Sequence, residues 1–366
     1  MIGALLLLGA GFDGPPIVKF ATPLPGSPLN AARHAERGGP VVHGSSLFLG
    51  SAGGQGLFEL NRTDGSLRRT FEASASVESA PLVADGRVFF GDTAGATWCY
   101  RLADGEPCWA QPHRGTAPVL ATPTLAKGQV IVTNVDDLVV ALDAATGELT
   151  WRYQPKPDPT RSAELTLFAT PAARVIGEHV AVGFSDGSVT ALTIDTGEVE
   201  WSRRVGEGRY PDVVAEAVPS NTDLFVSGYW TPLVAIDIPS RTVRWRVDAG
   251  AAAPVTVLGQ GLDATVFHPG TDGVVRAVAA VSGAERWQWD SGDGGALTEI
   301  IATEAGLFVG SSAGGLSLLD PASGTELWRW HEPFLLTGLS VAPVVEGRDL
   351  YVVTNAGMLY GLRAVR

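Results

Sequence analysis

The sequence predicts an all-β fold, an eight-bladed β-propeller of four-stranded antiparallel blades in which an N-terminal strand completes the last blade. Three observations predict it. A unit of short apolar runs and tight turns recurs along the 366-residue chain, and a proline stands before most copies at intervals of about 35 to 48 residues. Five copies also place a glycine four residues before a tryptophan. Strand patterning at this period is typical of propeller blades, whereas helical arrays would show a 3.6-residue pattern.

The clearest copy of the repeat runs from Thr122 to Tyr153. It contains four short runs joined by turns at Lys127-Gly128, at Asp136-Asp137 and at Ala144 to Glu148, and its last run ends in Trp151. Four short runs joined by tight turns predict one antiparallel sheet. Because both faces of this sheet are apolar, it must stack against neighbouring copies to be stable in water.

The residues that lead the copies predict how many blades there are. The leading positions hold Pro40, Pro81, Pro123, Pro171, Pro219, Pro254 and Pro343, with Ile300 or Ile301 in the remaining place. The last copy stops after its third strand, and we expect the segment Ile17 to Ala21 to supply the fourth. Eight blades then close into a ring, which leaves only short and protected sheet edges.

The recurrent tryptophans are predicted to be structural. A large ring at the end of each blade should wedge against the neighbouring blade, with its N–H bonded to a carbonyl. The glycine four residues earlier should supply a positive φ. The fifth copy has Arg241 in place of this glycine, and the first copy has Arg69 in place of the tryptophan. The predicted docking residues are Trp109, Trp151, Trp201, Trp245, Trp287 and Trp328.

The two cysteines, Cys99 and Cys108, flank one predicted turn, and alignment with the clearest copy places them on adjacent strands. Cross-strand neighbours are close enough for a disulfide, which would indicate an oxidising compartment. Two buried thiols are the alternative interpretation.

The charge of the chain narrows the class of partner. The net charge of -13 would repel nucleic acid and anionic lipid surfaces, so protein, small-molecule or glycan partners are expected.

The N-terminal segment resembles an export signal. Residues 1–11 are interpreted as a degenerate or trimmed export signal, followed by a single propeller domain over residues 12–366. This apolar run is too short to span a bilayer, and a loose apolar terminus is the alternative. No other stretch is long and apolar enough to be a transmembrane segment.

No motif in the sequence predicts catalysis. A nucleophile–histidine–acid set, a metal-ligand cluster or a phosphate-binding loop would each leave a local signature, and none is found. The six histidines are spread along the chain, and the Asp-Gly pairs lie at predicted turns. The sequence therefore predicts no catalytic residue, no metal site and no cofactor.

The eleven residues from Ala141 to Trp151, with the pattern AxDxxTGxxxW, resemble the tryptophan-docking motif of quinoprotein-type β-propellers. This resemblance implies two functions. One is that of PQQ-dependent dehydrogenases, which use an adjacent cysteine pair, a calcium ion and a catalytic aspartate; this chain has no adjacent cysteine pair and lacks their long insertions. The other is that of BamB-like accessory propellers of outer-membrane β-barrel assembly, which the chain resembles in size, blade number and terminal strand.

The BamB-like resemblance is favoured and implies a non-catalytic scaffold in the periplasm, associated with the outer membrane, monomeric in isolation and bound to an envelope protein partner. The alternatives are a dehydrogenase-like enzyme with its site at the central channel, or a propeller that binds another envelope protein or a glycan.

The same resemblance implies that the partner docks on the connections before Pro171 and Pro219. Thr166 and Val214 stand where a basic and an acidic residue would be expected, so the pattern is partly retained. An exposed apolar segment here would suit a partner, while capping of the neighbouring blade is the alternative. The residues implied for docking are Leu165, Leu167, Phe168, Asp212 and Glu216.

Overall fold

The computed structural model describes residues 12–26, 36–156, 171–333 and 337–365, and these form eight sheets of four antiparallel strands each. The first strand in the chain is β1, Ile17–Pro23. The next sixteen strands form four complete sheets in chain order: β2 Val41–His43, β3 Ser46–Leu49, β4 Leu57–Asn61 and β5 Leu67–Phe71; β6 Leu82–Ala84, β7 Arg87–Gly91, β8 Ala96–Arg101 and β9 His113–Arg114; β10 Thr124–Ala126, β11 Gln129–Thr133, β12 Val139–Asp143 and β13 Leu149–Tyr153; β14 Arg174–Ile176, β15 His179–Gly183, β16 Ser188–Thr193 and β17 Val199–Arg204.

The fifth, sixth and seventh sheets follow the same order, and three last strands belong to the eighth. Their bounds are β18 Val218–Ser220, β19 Asp223–Val226, β20 Pro232–Asp237 and β21 Thr242–Gly250; β22 Thr256–Leu258, β23 Thr265–Pro269, β24 Val274–Ala279 and β25 Glu285–Asp290; β26 Ile301–Thr303, β27 Gly306–Gly310, β28 Leu316–Leu319 and β29 Glu326–Trp330; β30 Val344–Glu346, β31 Asp349–Val353 and β32 Met358–Arg363. One 3-10 turn, Gly261–Asp263, joins β22 to β23.

The N-terminal strand closes the ring. β1 pairs antiparallel with β32, from Ile17 opposite Arg363 to Pro23 opposite Met358, and the eighth sheet has the order β1-β32-β31-β30. The predicted eight-bladed propeller and its closure by the N-terminal segment are therefore confirmed. The strand extends two residues beyond the predicted Ile17 to Ala21.

The hydrophobic core lies between neighbouring sheets. The first strands of adjacent sheets contact one another around the axis, for example β2 with β6 and β26 with β30. The second strand of each sheet is mainly buried, and its side chains alternate between the two flanking sheets. One interface joins Val139 and Trp151 of the third sheet to Val180 and Val182 of the fourth. Each sheet thus buries its two apolar faces against its two neighbours.

The outer strand of one sheet inserts a tryptophan over the last turn of the next sheet. Trp151 Nε1 donates a hydrogen bond to the Ile194 carbonyl at 2.7 Å, and its ring lies against Gly197. Gly197 has a φ of +71°, which an L-residue rarely adopts. The same N–H to carbonyl bond joins Trp109 to Ala144, Trp245 to Ala280, Trp287 to Pro321 and Trp328 to Phe12. Trp201 packs at the corresponding interface with Ile236.

The two interfaces without a tryptophan use other side chains in the same place. Arg69 of the first sheet lies over Gly105 and donates from Nη1 to the Leu102 carbonyl at 3.2 Å. Phe20 of β1 lies over Gly65 of the first sheet. A side chain at the outer side of one sheet therefore inserts into the next at every junction of the ring.

The second sheet departs from the predicted repeat. Its outer strand was expected to end at Trp109, but the paired strand β9 is only His113–Arg114, and Cys108 lies outside it. Pro107 and Pro112 lack the N–H that a ladder requires, which shortens the pairing. Cys108 N donates instead to the Cys99 carbonyl at 2.9 Å.

The sixth sheet has a complete ladder between β23 and β24. The helix content of the described ranges is limited to that 3-10 turn, and nothing there could cross a bilayer as a helix. The signal-like segment predicted for residues 1–11 falls outside the ranges that the structure describes.

Candidate functional site

The ring has two faces because strand direction alternates within each sheet. The connections from one sheet to the next and the turns between second and third strands share one face, which we call the connection face. The turns between first and second and between third and fourth strands, including the Gly-Trp motif turns, lie on the opposite face. Docking was predicted on two connections. The described segment between β17 and β18 lies on the connection face, as do the end of β13 and the start of β14, which flank the other connection.

The predicted docking residues differ in where the structure places them. Leu165, Leu167 and Phe168 fall within residues 157–170, outside the described ranges. Asp212 is buried, with 1% of its surface exposed. Glu216 has 22% of its side chain exposed and forms an ion pair with Arg174. The two acids thus lie within the ring, and a docking role for all five residues stays a prediction.

Glu216 belongs to the wall of a cavity on the ring axis. Two adjoining cavities of about 770 Å³ and 650 Å³ share Glu299 and Ile301 in their walls. The first cavity lies towards the connection face, because its lining comes from positions just before the first strands. Ten of these positions hold small side chains or proline: Gly39, Pro40, Ala80, Ala121, Ala252, Ala253, Pro254, Ser340, Ala342 and Pro343. Small residues here keep the axis open.

Most of the charged groups around the axial cavities are paired. Arg174 pairs with Glu216, and Arg37 lies 3.9 Å from Glu78. Glu299, just before β26, differs, because no hydrogen bond or ion pair joins its carboxylate to another described residue. Burial raises the pKa of Glu299, the charge of Glu216 raises it further, and Arg174 partly offsets both effects.

An aromatic cluster borders the same cavity. Trp230 is 57% exposed, and its ring centroid lies 4.4 Å from that of Tyr229 and 5.0 Å from that of Tyr210. Tyr229 lines the axial cavity, and the guanidinium of Arg209 lies 5.3 Å from the Tyr210 ring centroid. Sequence reasoning missed this cluster. The available signal was that Trp230 is a tryptophan outside the Gly-Trp spacing, at a turn between second and third strands.

The residues present can be compared with those that quinone chemistry requires. Within the described ranges, no three His, Cys, Asp or Glu side chains are grouped closely enough to hold a metal ion. Cys99 and Cys108 are joined as a disulfide with Cα atoms 5.3 Å apart, and they lie in the interface of the second and third sheets with Trp109. They are not the adjacent pair that the dehydrogenase resemblance requires.

The closed ring of eight sheets, with tryptophans docked on the turns of successive sheets, defines a quinoprotein-type β-propeller. A family model described as outer membrane protein assembly factor BamB matches residues 21–116, 85–265 and 271–365, which together cover most of the chain. The chain therefore belongs to the BamB family.

Similar proteins carry the same description. Outer membrane protein assembly factor BamB of Legionella pneumophila is 27% identical over 53% of this chain, a match that spans about half (51%) of that relative's length. The factor of the same name from Burkholderia pseudomallei is 28% identical over 71% of this chain and 67% of its own length. The crystal structure of BamB from Moraxella catarrhalis superposes with a TM-score of 0.77, covering 95% of this chain and all of that one, at 17% identity.

A quinohemoprotein alcohol dehydrogenase of Pseudomonas putida is also similar, at 33% identity over 30% of this chain, but the match covers only 14% of the enzyme. Its crystal structure superposes with a TM-score of 0.72 at 14% identity, which concerns the fold alone.

Proposed function

We propose that this protein is a non-catalytic interaction subunit of outer-membrane β-barrel assembly, acting on the periplasmic side of the outer membrane. The observation that carries the proposal is the BamB family match, which extends over nearly the whole ring. The acidic chain, with its net charge of -13, suits a protein partner better than nucleic acid or an anionic lipid surface.

The protein would act by presenting an already ordered surface to its partner. Every junction of the ring is held by an inserted side chain and the ends of the chain are paired, so the described connections start from fixed positions. Binding to such a platform costs little ordering entropy, which leaves more of the contact energy for affinity.

The docking surface would lie on the connection face. The segment between β13 and β14 contains the predicted Leu165, Leu167 and Phe168. The segment between β17 and β18 contains Arg209, which is exposed. Trp230 adds a large exposed ring beside that second segment. Aromatic and arginine side chains are the types that most often anchor protein interfaces.

The test is affinity capture of partners from an envelope extract, with identification of the captured proteins. Leu165→Asp and Trp230→Ser should each weaken capture of outer-membrane assembly proteins relative to the unmodified chain. The matched control is Leu262→Asp, which adds the same charge at a leucine 81% exposed on the opposite face. Glu216 is a poor choice for a variant, since its replacement would leave Arg174 without a partner in the axial cavity.

Two results would count against the proposal. Captured proteins unrelated to outer-membrane assembly would reject the function. Equal capture by all three variants would reject the docking surface.

The second candidate is a quinone-dependent dehydrogenase with its site at the axial cavity, favoured by the cavity itself and by the partial match to the alcohol dehydrogenase. Titration of the purified protein with PQQ and calcium distinguishes the two candidates. Bound-quinone absorbance with dehydrogenase turnover would overturn the platform, whereas neither signal is expected.

A further inference from the structure

We propose that the axial cavity binds a cationic group, an ammonium or guanidinium carried on a slender chain, with the Glu299 carboxylate as its counter-ion and Tyr229 as an aromatic wall. This inference does not depend on the proposed function, because it rests on the cavity alone.

The charge in the cavity selects a cation over an anion. The two arginines in the walls of the adjoining cavities already face acids, since Arg174 in the second pairs with Glu216 and Arg37 in the first lies near Glu78. An incoming anion would have to break one of these pairs. Glu299 is the acid in the wall that forms no ion pair with a described residue, although the charge of Arg174 partly favours its ionised form. Glu299 is half-buried in the cavity wall, where burial and the nearby charge of Glu216 disfavour its ionised form, and a bound cation would stabilise that form.

The position of Glu299 fits a ligand that enters along the axis. This residue lies in the walls of both cavities, so it marks the place where they adjoin. A ligand entering from the connection face would pass Tyr229 before it reaches this carboxylate, because Tyr229 lines only the first cavity. The face of a tyrosine ring attracts cations, and it complements a carboxylate in binding ammonium or guanidinium groups. The alanines of the wall leave room for a narrow alkyl chain.

The proposal predicts that binding and protonation are coupled. Burial and Glu216 raise the pKa of Glu299, so the free protein keeps a proton there up to a higher pH than an exposed glutamate would. A bound cation favours the ionised form and should expel that proton. Affinity should therefore increase as pH rises through the raised pKa and then level off. Arg174, Glu216 and Arg37 are the charged groups that share these walls.

The experiment is isothermal titration calorimetry of the full chain in buffers with different ionisation enthalpies. Cadaverine represents a free cation, and an acetylated, amidated alanine peptide with one central lysine represents a cationic side chain. 1,5-Pentanediol has the length of cadaverine without its charge. Both cationic ligands, or the peptide alone, should bind with proton release, and pentanediol should not bind.

The decisive variants are Glu299→Gln and its control Glu304→Gln. Both remove one negative charge, but Glu304 is exposed in the turn between β26 and β27, away from the cavity walls. Glu299→Gln should weaken binding at least tenfold and abolish proton release, while Glu304→Gln should match the unmodified protein. Thermal melting checks that each variant is folded, and proton release by the unmodified chain tests the coupling without any variant.

The proposal is wrong if neither cationic ligand binds at millimolar concentration. It is also wrong if Glu299→Gln binds as well as the unmodified protein, or if Glu304→Gln loses as much affinity. Binding of cadaverine would identify a site for free amines, and binding of the peptide alone would identify a site for a basic side chain of a partner.

Discussion

Replacement of Gly197 by alanine tests whether the tryptophan ring of one sheet occupies the motif turn of the next. A methyl group at this position would lie 2.6 Å from Cδ2 of the Trp151 ring, and the backbone has a φ of +71°. Gly177 in the same sheet has a φ of +64° with no atom within 4 Å of an added methyl. Gly177→Ala therefore measures only the free-energy cost of placing alanine in a left-handed backbone. Gly197→Ala measures that cost together with the cost of the overlap between the added methyl group and the Trp151 ring.

The two effects have separable magnitudes. A left-handed backbone costs an L-residue about 1–2 kcal/mol, so Gly177→Ala should lower the free energy of unfolding by this amount. Overpacking against a ring held by a hydrogen bond adds about 1–3 kcal/mol, which gives about 2–5 kcal/mol for Gly197→Ala. Trp151→Ala alone should cost about 3–5 kcal/mol, because it empties a buried site and leaves the Ile194 carbonyl unpaired.

The double variant completes the test. Without the Trp151 ring the added methyl at Gly197 overlaps nothing, so the combined loss should be smaller than the sum of the single losses by about 1–3 kcal/mol. Urea unfolding followed by far-ultraviolet circular dichroism measures the free energy of unfolding of the unmodified chain and of the four variants. Equal losses for Gly197→Ala and Gly177→Ala, or strict additivity of the pair, would refute the docking of this ring on the glycine.

Three further predictions concern the ring and its ionisable groups. Burial, helped by the charge of Arg276, lowers the pKa of His268 to about 3. Between about pH 6.5 and pH 3 the unfolded chain therefore binds more protons at this histidine than the folded chain does. The free energy of unfolding should fall by up to about 1.4 kcal/mol per pH unit as the pH is lowered through this range. His268→Leu should flatten this slope in urea unfolding at pH 7 and pH 5, and an unchanged slope would contradict the assignment. Phe20→Ala should lower the free energy of unfolding by about 3 kcal/mol and increase amide hydrogen exchange in Ile17–Pro23 more than in the other strands. An equal increase in all strands would argue against a closure that Phe20 stabilises locally. The Cys99–Cys108 bond closes a loop with a sequence separation of 9, so its reduction should lower the free energy of unfolding by about 2–3 kcal/mol according to the loop-entropy relation. The control is a variant with both cysteines replaced by alanine, whose urea midpoint should not respond to reductant. An unchanged urea midpoint on reduction of the native chain would contradict a stabilising role.

The repeat and its closure could be predicted from sequence because they depend on local chemistry. Turn residues and apolar runs define each sheet, and the incomplete copy after Pro343 requires a strand from elsewhere. The partner of each motif glycine could not be predicted in the same way. Gly197 receives Trp151 of the preceding sheet, so the glycine and tryptophan that are four residues apart in sequence serve different junctions.

The candidate site was less predictable because it assembles side chains from several sheets. Arg174 begins β14, whereas Glu216 and Glu299 lie in the connections before β18 and β26, and the three meet only at the axis. Asp212 and Glu216 lie in a segment with no strand periodicity, so their direction depends on ring packing. Their inward placement therefore required the structure, as did the approach of Trp230 to Tyr210.

The pairing of β1 with β32 has a consequence for biosynthesis. Residues at the start of the chain wait for partners more than 330 positions later, and contacts of such separation form late in folding. Until the ring closes, the first sheet and the most recently made sheet each leave one apolar face uncovered, and β1 is an unpaired strand to which strands of other molecules can add. A product truncated ahead of Met358 would leave β1 unpaired permanently, and we would expect it to be recovered as aggregate or degraded.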